Sequence, residues 1–219
     1  MTLILGIDEA GRGPVCGPMV LCGYMIEESK IEKLRKMGVK DSKLLAPKKR
    51  TELFAKLKRF CEDYHTIKIS ASEIDKLRNI TNLNRIEIAK MQAIINKLQP
   101  DKVIIDSPEV NTQAFAKKIR EKLDKECEIV AENFADKNHP EVGAASIIAK
   151  VTRDNEIKKL HKSHGFFGSG YSSDPATISF LKDWLKMNKD FPGFVRKSWM
   201  TAQLMKAEMR QTRIGSFAK

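Results

Sequence analysis

The chain of 219 residues lacks the usual signs of a zinc, membrane or secreted protein. Its four cysteines, Cys16, Cys22, Cys61 and Cys127, form no CxxC pair, so a zinc cluster is not expected. Its four histidines have no metal-pair spacing, and His139, His161 and His164 read as structural or surface residues. No apolar run approaches the 18 residues of a membrane span, and no secretory hydrophobic segment is present. A reducing cytoplasm is the expected compartment, with the cysteines as small core residues. Internal repeats and low-complexity segments are absent too.

Acidic charge is in deficit. Forty Lys and Arg face 28 Asp and Glu, a net charge of +12. That excess favours a polyanionic partner, because basic side chains release counterions condensed on phosphate backbones. At 42% hydrophobic and 31% charged, the composition is otherwise that of an ordinary globular protein.

Apolar and alternating stretches predict strands over Thr2–Asp8, Met19–Met25, Tyr64–Ser70, Lys102–Asp106 and Cys127–Glu132. Helices are predicted over Lys30–Met37, Pro47–Phe60, most of Ala71–Leu98, Thr112–Leu123, Pro140–His161, Ala176–Met187 and Ser198–Gln211. Ile86, Ala89, Ala93 and Leu98 form the expected apolar stripe of the third. Ala10–Pro18 and Gly165–Pro175 read as loops. Strands alternating with helices predict an α/β fold built on a mixed sheet. The last segment carries Arg196, Lys197, Lys206, Arg210, Arg213 and Lys219 against Glu208, either a nucleic-acid contact or a solvated end.

Three apolar strands end at or near acids. Asp8 and Glu9 close the first, Asp106 closes another, and Asp136 follows a third. Carboxylates at strand ends cannot sit unpaired in a core. Gathered at one sheet edge, they would raise one another's pKa unless a cation neutralised them. Hard oxygen ligands select Mg²⁺ or Mn²⁺. Two such cations, about 4 Å apart, can clamp the attacking and leaving oxygens of a phosphoryl displacement. Just beyond lies Gly11-Arg12-Gly13, where the backbone can approach a ligand closely and Arg12 can fork onto a phosphate. Backbone groups there can reach a ribose 2′-OH, the group that separates RNA from DNA.

Together these stretches resemble type 2 ribonuclease H (ribonuclease HII), in its archaeal branch. The resemblance opens with Gly6-Ile7-Asp8-Glu9-Ala10-Gly11-Arg12-Gly13-Pro14-Val15 and continues at residues 40–44 (KDSKL), Asp106, Ala135-Asp136, residues 144–154 (AASIIAKVTRD), Gly168-Ser169-Gly170-Tyr171 and Arg196-Lys197-Ser198-Trp199. It implies a ribonuclease H fold, with a five-stranded mixed sheet flanked by helices and a helical C-terminal part. It also implies a catalytic domain over 1–165 with the extension 166–219 packed on it as one structural unit. Asp8, Glu9, Asp106 and Asp136 would be the catalytic, metal-binding acids, holding Mg²⁺ or Mn²⁺ in a two-metal site. Gly11, Arg12 and Gly13 would read the 2′-OH and the phosphate, and Tyr171 would stack on the neighbouring sugar. Lys43 would contact phosphate, Ser146 would stand at a helix N-terminus facing a phosphate, and Lys150 and Arg153 would extend that basic wall.

The implied reaction is hydrolysis of the RNA strand of RNA–DNA hybrids, and cleavage 5′ of ribonucleotides embedded in duplex DNA, leaving 5′-phosphate and 3′-hydroxyl. This is the chemistry of ribonucleotide excision repair. A monomer without membrane contact is implied, with a sliding clamp as a candidate partner. The chain departs from the family pattern at Gly143 (commonly Ser), Ser172 (commonly Pro) and His139 (commonly aromatic). Two alternatives are a non-catalytic hybrid-binding protein, which should lack an acid, and a type 3 ribonuclease H-like nuclease. The type 3 enzymes usually carry Lys in place of Arg12 and a separate N-terminal domain, whereas this chain opens at its first strand. Trp184 and Trp199 read as core rather than stacking platforms.

Overall fold

The computed structural model describes residues 1–39 and 45–217, with side chains described as far as Arg210. Five strands form one mixed sheet: β1 (Leu3–Ala10), β2 (Met19–Glu27), β3 (Asp63–Ile69), β4 (Lys102–Asp106) and β5 (Glu128–Glu132), in the order β3-β2-β1-β4-β5. β1 runs antiparallel to β2 but parallel to β4, with Ile7 opposite Ile105, and β4 runs parallel to β5, with Asp106 opposite Glu132. Parallel pairing brings the C-terminal ends of β1, β4 and β5 to the same edge, where their acids lie. The mixed ribonuclease H sheet expected from the sequence is present.

The helices are α1 (Ile31–Lys36), α2 (Pro47–Phe60), α3 (Ala71–Arg78), α4 (Leu83–Leu98), α5 (Thr112–Arg120), α6 (Ala135–Asn138), α7 (Pro140–His164), α8 (Pro175–Met187) and α9 (Met200–Phe217). None among the described residues is long and apolar enough to cross a membrane. The helix expected over most of Ala71–Leu98 is broken in two. Asn82 ends the break by accepting the Arg85 N–H at 3.0 Å, and Ser70 caps α3 through the Glu73 N–H at 3.2 Å. The apolar stripe of α4 also differs from the expected one. Ala89 and Ala93 face solvent, whereas Ile88, Met91, Ile94 and Ile95 are buried. The larger side chains gain more from leaving water than an alanine methyl does, so they set which face turns inward. α6, a single turn, was not predicted. It follows Phe134, whose left-handed backbone no local residue pattern announces.

The chain forms two compact units that interleave in sequence. One comprises Met1–Ala10, Val20–Lys68 and Asn82–Thr152, the other Gly11–Met19, Ile69–Thr81 and Arg153–Lys219. These boundaries fall elsewhere than residue 165. In the first unit, Tyr24, Ile26, Leu57, Ile147 and Ile148 share a core, and the Tyr24 hydroxyl donates to the Leu57 carbonyl at 3.2 Å. Here α7 lies directly on β1. A Cβ on Gly6 would stand 2.3 Å from the Glu141 carbonyl carbon, so glycine is required for the two backbones to approach. In the second unit, Val15, Phe167, Leu181, Phe194 and Val195 form a separate core. Cys16 and Cys22 are buried free thiols, as expected of small core residues, and burial pushes the Cys16 thiol up to about 12.

Candidate active site

The acids belong to the first unit. Asp8 sits at the end of β1, only 5% exposed. Its carboxyl accepts the Glu9 N–H at 2.6 Å and the Ser146 hydroxyl. Burial pushes its pKa well above the ordinary value. The charges of Glu9 and Asp106 push it further, while the two hydrogen bonds oppose the rise. Asp106, at the end of β4, accepts the Ala135 N–H at 3.1 Å on Oδ1. That bond fixes the start of α6, where Asp136 is 1% exposed. Asp8, Glu9 and Asp106 thus interact electrostatically, and Asp136 lies one residue from the group that holds Asp106.

Among the described residues, no three His, Cys, Asp or Glu side chains are gathered closely enough to hold a metal ion as they stand. The donor chemistry nevertheless fits a divalent cation. Buried carboxylates that raise one another's pKa are stabilised by a hard positive charge and gain nothing from a neutral ligand.

Ser146 corrects one expectation. α7 begins at Pro140, so Ser146 lies in its second turn, buried, and its hydroxyl serves Asp8. It does not stand at a helix N-terminus facing a phosphate. Lys150, one turn further along α7, is half-buried. Lys43 lies outside the described residues.

The second unit holds the glycine loop. Gly11 has φ +83°, and a Cβ there would meet the Pro18 carbonyl oxygen at 2.7 Å, so only glycine suits this position. Gly13 is exposed, and its α-carbon lies beside the Tyr171 ring, which a Cβ would meet at 3.8 Å. The predicted loop and the predicted tyrosine are therefore neighbours. Arg153 is 3% exposed rather than part of an open basic wall. It donates to the Ser169 carbonyl at 2.8 Å, and its guanidinium lies 5.4 Å from the centre of the Tyr171 ring. It therefore positions the tyrosine.

Arg196 and Trp199 hold the loop in place, and the sequence reading gave neither this role. Arg196 is fully buried. Its guanidinium donates to the carbonyls of Gly17 (3.0 Å), Arg12 (2.8 Å) and Gly11 (2.6 Å). Trp199 stacks on it at 4.7 Å and donates Nε1–H to the Gly13 carbonyl at 2.9 Å. Burial, then the charge of Arg153, lowers the Arg196 pKa to about 10, so it stays charged at neutral pH. Asp75 anchors the same corner by accepting the N–H groups of Lys197 (2.8 Å) and Ser198 (3.0 Å). The sequence signal was Arg196-Lys197-Ser198-Trp199 itself, counted there among tail charges. Arg196 is internal, and Lys197 and Lys206, both partly exposed, pair with Asp190 at 2.7 Å.

The family model for ribonuclease HII matches residues 5–202. The chain belongs to the ribonuclease HII family. It is 46% identical to a ribonuclease HII of Methanothrix thermoacetophila over 208 residues, covering 94% of this chain and 99% of that one. Its fold is similar to the crystal structure of ribonuclease H2 from Pyrococcus horikoshii, with a TM-score of 0.91, 43% identity, and coverage of 95% and 99% of the two chains. A similar chain in the PCNA:RNase HII complex from Archaeoglobus fulgidus gives a TM-score of 0.84 at 38% identity, covering 90% and 95%. The protein is thus a metal-dependent endoribonuclease of the ribonuclease H class, acting on RNA–DNA hybrids.

Two tests arise from this geometry. Asp8 keeps its proton to higher pH in the folded than in the unfolded state. Its contribution to stability is complete below the unfolded carboxylate range, about pH 3.9, and is lost as pH rises through the raised folded value. At pH 7 without metal, Asp8→Asn is expected to raise the melting temperature by about 2–4 °C, the shift that roughly 1 kcal/mol produces in a chain of this size; an unchanged or lower value in a thermal melt with chelator would contradict the repulsion. Arg196→Lys keeps the charge, but a compact ammonium cannot span the three carbonyls that Nε, Nη1 and Nη2 reach separately. It should cost roughly 2–4 kcal/mol in urea unfolding, and a loss under about 0.5 kcal/mol would rule out the clamp.

Proposed function

We propose that the protein cuts the RNA strand of RNA–DNA hybrids, and cuts 5′ of single ribonucleotides embedded in duplex DNA, leaving 5′-phosphate and 3′-hydroxyl. The observation that carries this reading is the buried Asp8, destabilised as an anion by Glu9 and Asp106. Asp8, Glu9, Asp106 and Asp136 would hold a pair of Mg²⁺ or Mn²⁺ ions. When bound, such a pair lowers the pKa of an attacking water and stabilises the departing 3′ oxygen. Ser146 keeps Asp8 oriented, and the Ala135 N–H does the same for Asp106.

Only one residue, Ala10, separates Asp8-Glu9 in the chain from Gly11-Arg12-Gly13. That loop would read the ribose 2′-OH and Arg12 the phosphate, with Tyr171 packed on the sugar beyond it. Lys43, Lys150 and the net charge of +12 support attraction of the phosphate backbone. Because Arg196 and Trp199 fix the loop before substrate arrives, little ordering cost remains to be met on binding.

The test is a DNA duplex bearing one ribonucleotide, incubated with Mg²⁺ or Mn²⁺ and mapped at nucleotide resolution. A single cut immediately 5′ of the ribonucleotide is expected. Asp8→Asn should lower the rate at least a hundredfold while still binding the duplex; cleavage at any other position, or normal turnover by this variant, would defeat the reading. We also propose a sliding clamp as a partner of the monomer, supported by the similarity to the chain of the PCNA complex. In size-exclusion chromatography the protein alone should elute at the mass of one chain and shift with the clamp; two separate peaks would refute the partnership.

A further inference from the structure

The turn joining β5 to α6 contains a side chain that the roles above leave unused. Phe134 has φ 61° and ψ 35°, in the left-handed region where a bulky residue is an outlier. The turn is pinned on both sides. Asn133 donates from its side chain to the carbonyls of Ser107 (2.8 Å) and Glu109 (3.0 Å). Ala135 donates to Asp106 Oδ1, and the Lys137 N–H donates to the Phe134 carbonyl at 3.1 Å.

One consequence is that Asp136 turns inward, 1% exposed, while two residues earlier the Phe134 ring is left 61% exposed. The ammonium of Lys137, itself exposed, lies 4.9 Å from the ring centre. A single exposed aromatic is ordinary. This one stands on a strained backbone, in the turn that carries Asp136, beside a cation. Strain of this kind tends to persist where function holds it.

We propose that Phe134 is a packing platform for the sugar–phosphate backbone of the bound nucleic acid, its ring against the apolar face of a sugar and Lys137 on the adjoining phosphate. This rests on the reading that the neighbouring acids are the cleavage centre. In a base-paired hybrid the bases are already stacked on one another, so an aromatic ring beside the scissile strand meets sugars, not base faces. Phe134 is sequence-blind in this role. The contact between ring and ammonium keeps both groups assembled before substrate arrives.

The test uses Phe134→Gly, which removes the ring and suits the left-handed backbone, and Phe134→Tyr, which keeps the ring. Binding of a labelled RNA–DNA hybrid is followed by fluorescence anisotropy without divalent metal, and cleavage by steady-state kinetics with it. Phe134→Gly should raise Kd and KM about three- to tenfold, the scale of losing one ring face of apolar contact. It should leave kcat within about twofold and the melting temperature no lower. Phe134→Tyr should match the wild type, and Lys137→Gln should reduce the slope of log Kd against log salt by about one.

Unchanged Kd in Phe134→Gly would overturn the platform. So would a loss of kcat alone, which would mean that the ring only sets the turn bearing Asp136. If the glycine variant melts earlier, Phe134→Asn, which also tolerates this backbone, replaces it with the same criteria. If the wild type fails to cleave, the proposed function is wrong, yet the anisotropy still decides the platform.

Discussion

A carboxylate withdrawn from water at the end of the central strand is costly, and much of the first unit is arranged around that cost. Asp8 accepts two hydrogen bonds, from the Glu9 backbone and the Ser146 hydroxyl, yet burial and the charges of Glu9 and Asp106 still raise its pKa. The sheet topology makes the repulsion unavoidable, because parallel pairing of β1 with β4 brings two acid-bearing strand ends together. The close seat of α7 on Gly6 supplies the Ser146 hydroxyl. A site built in this way is incomplete without positive charge, and a divalent cation is the form of charge its oxygens suit.

Much of this was legible in the sequence. Apolar strands ending in acids can be read directly, because hydrophobic runs and the carboxylates that close them are local features. The α/β alternation and the approximate limits of β3, β4 and β5 were equally plain; β1 and β2 each run two residues beyond their expected ends, to Ala10 and Glu27. What escaped is non-local. α7 starts at Pro140, as expected, but that start puts Ser146 in the second turn, and only the packing of α7 on β1 turns its hydroxyl to Asp8. The interruption between α3 and α4 turns on Asn82 acting as a cap, which competes with a helical pattern that could have continued. Arg153 and Arg196 look like surface charge in one dimension and become buried donors only when carbonyls converge on them.

The two sets of residues illustrate two ways of holding a functional group. Asp8 is kept in electrostatic tension with Glu9 and Asp106. The loop is kept without tension, its carbonyls occupied by Arg196 and Trp199 and its sharp bend made by a glycine at positive φ. A loop held in this way presents one shape to whatever it meets, which is the physical basis of selectivity.

The bonds from Arg196 and Trp199 to residues 11–13 span 184 to 186 positions of sequence. During synthesis, the glycine loop therefore leaves the ribosome long before the residues that fix it. The strands and acids of the first unit, complete by Thr152, can order themselves while the loop still waits for its partners. A nascent chain that has not yet reached Arg196 therefore carries the buried acids while residues 11–13 still lack the donors that hold them. Order in the loop is in effect a signal that synthesis has passed Trp199.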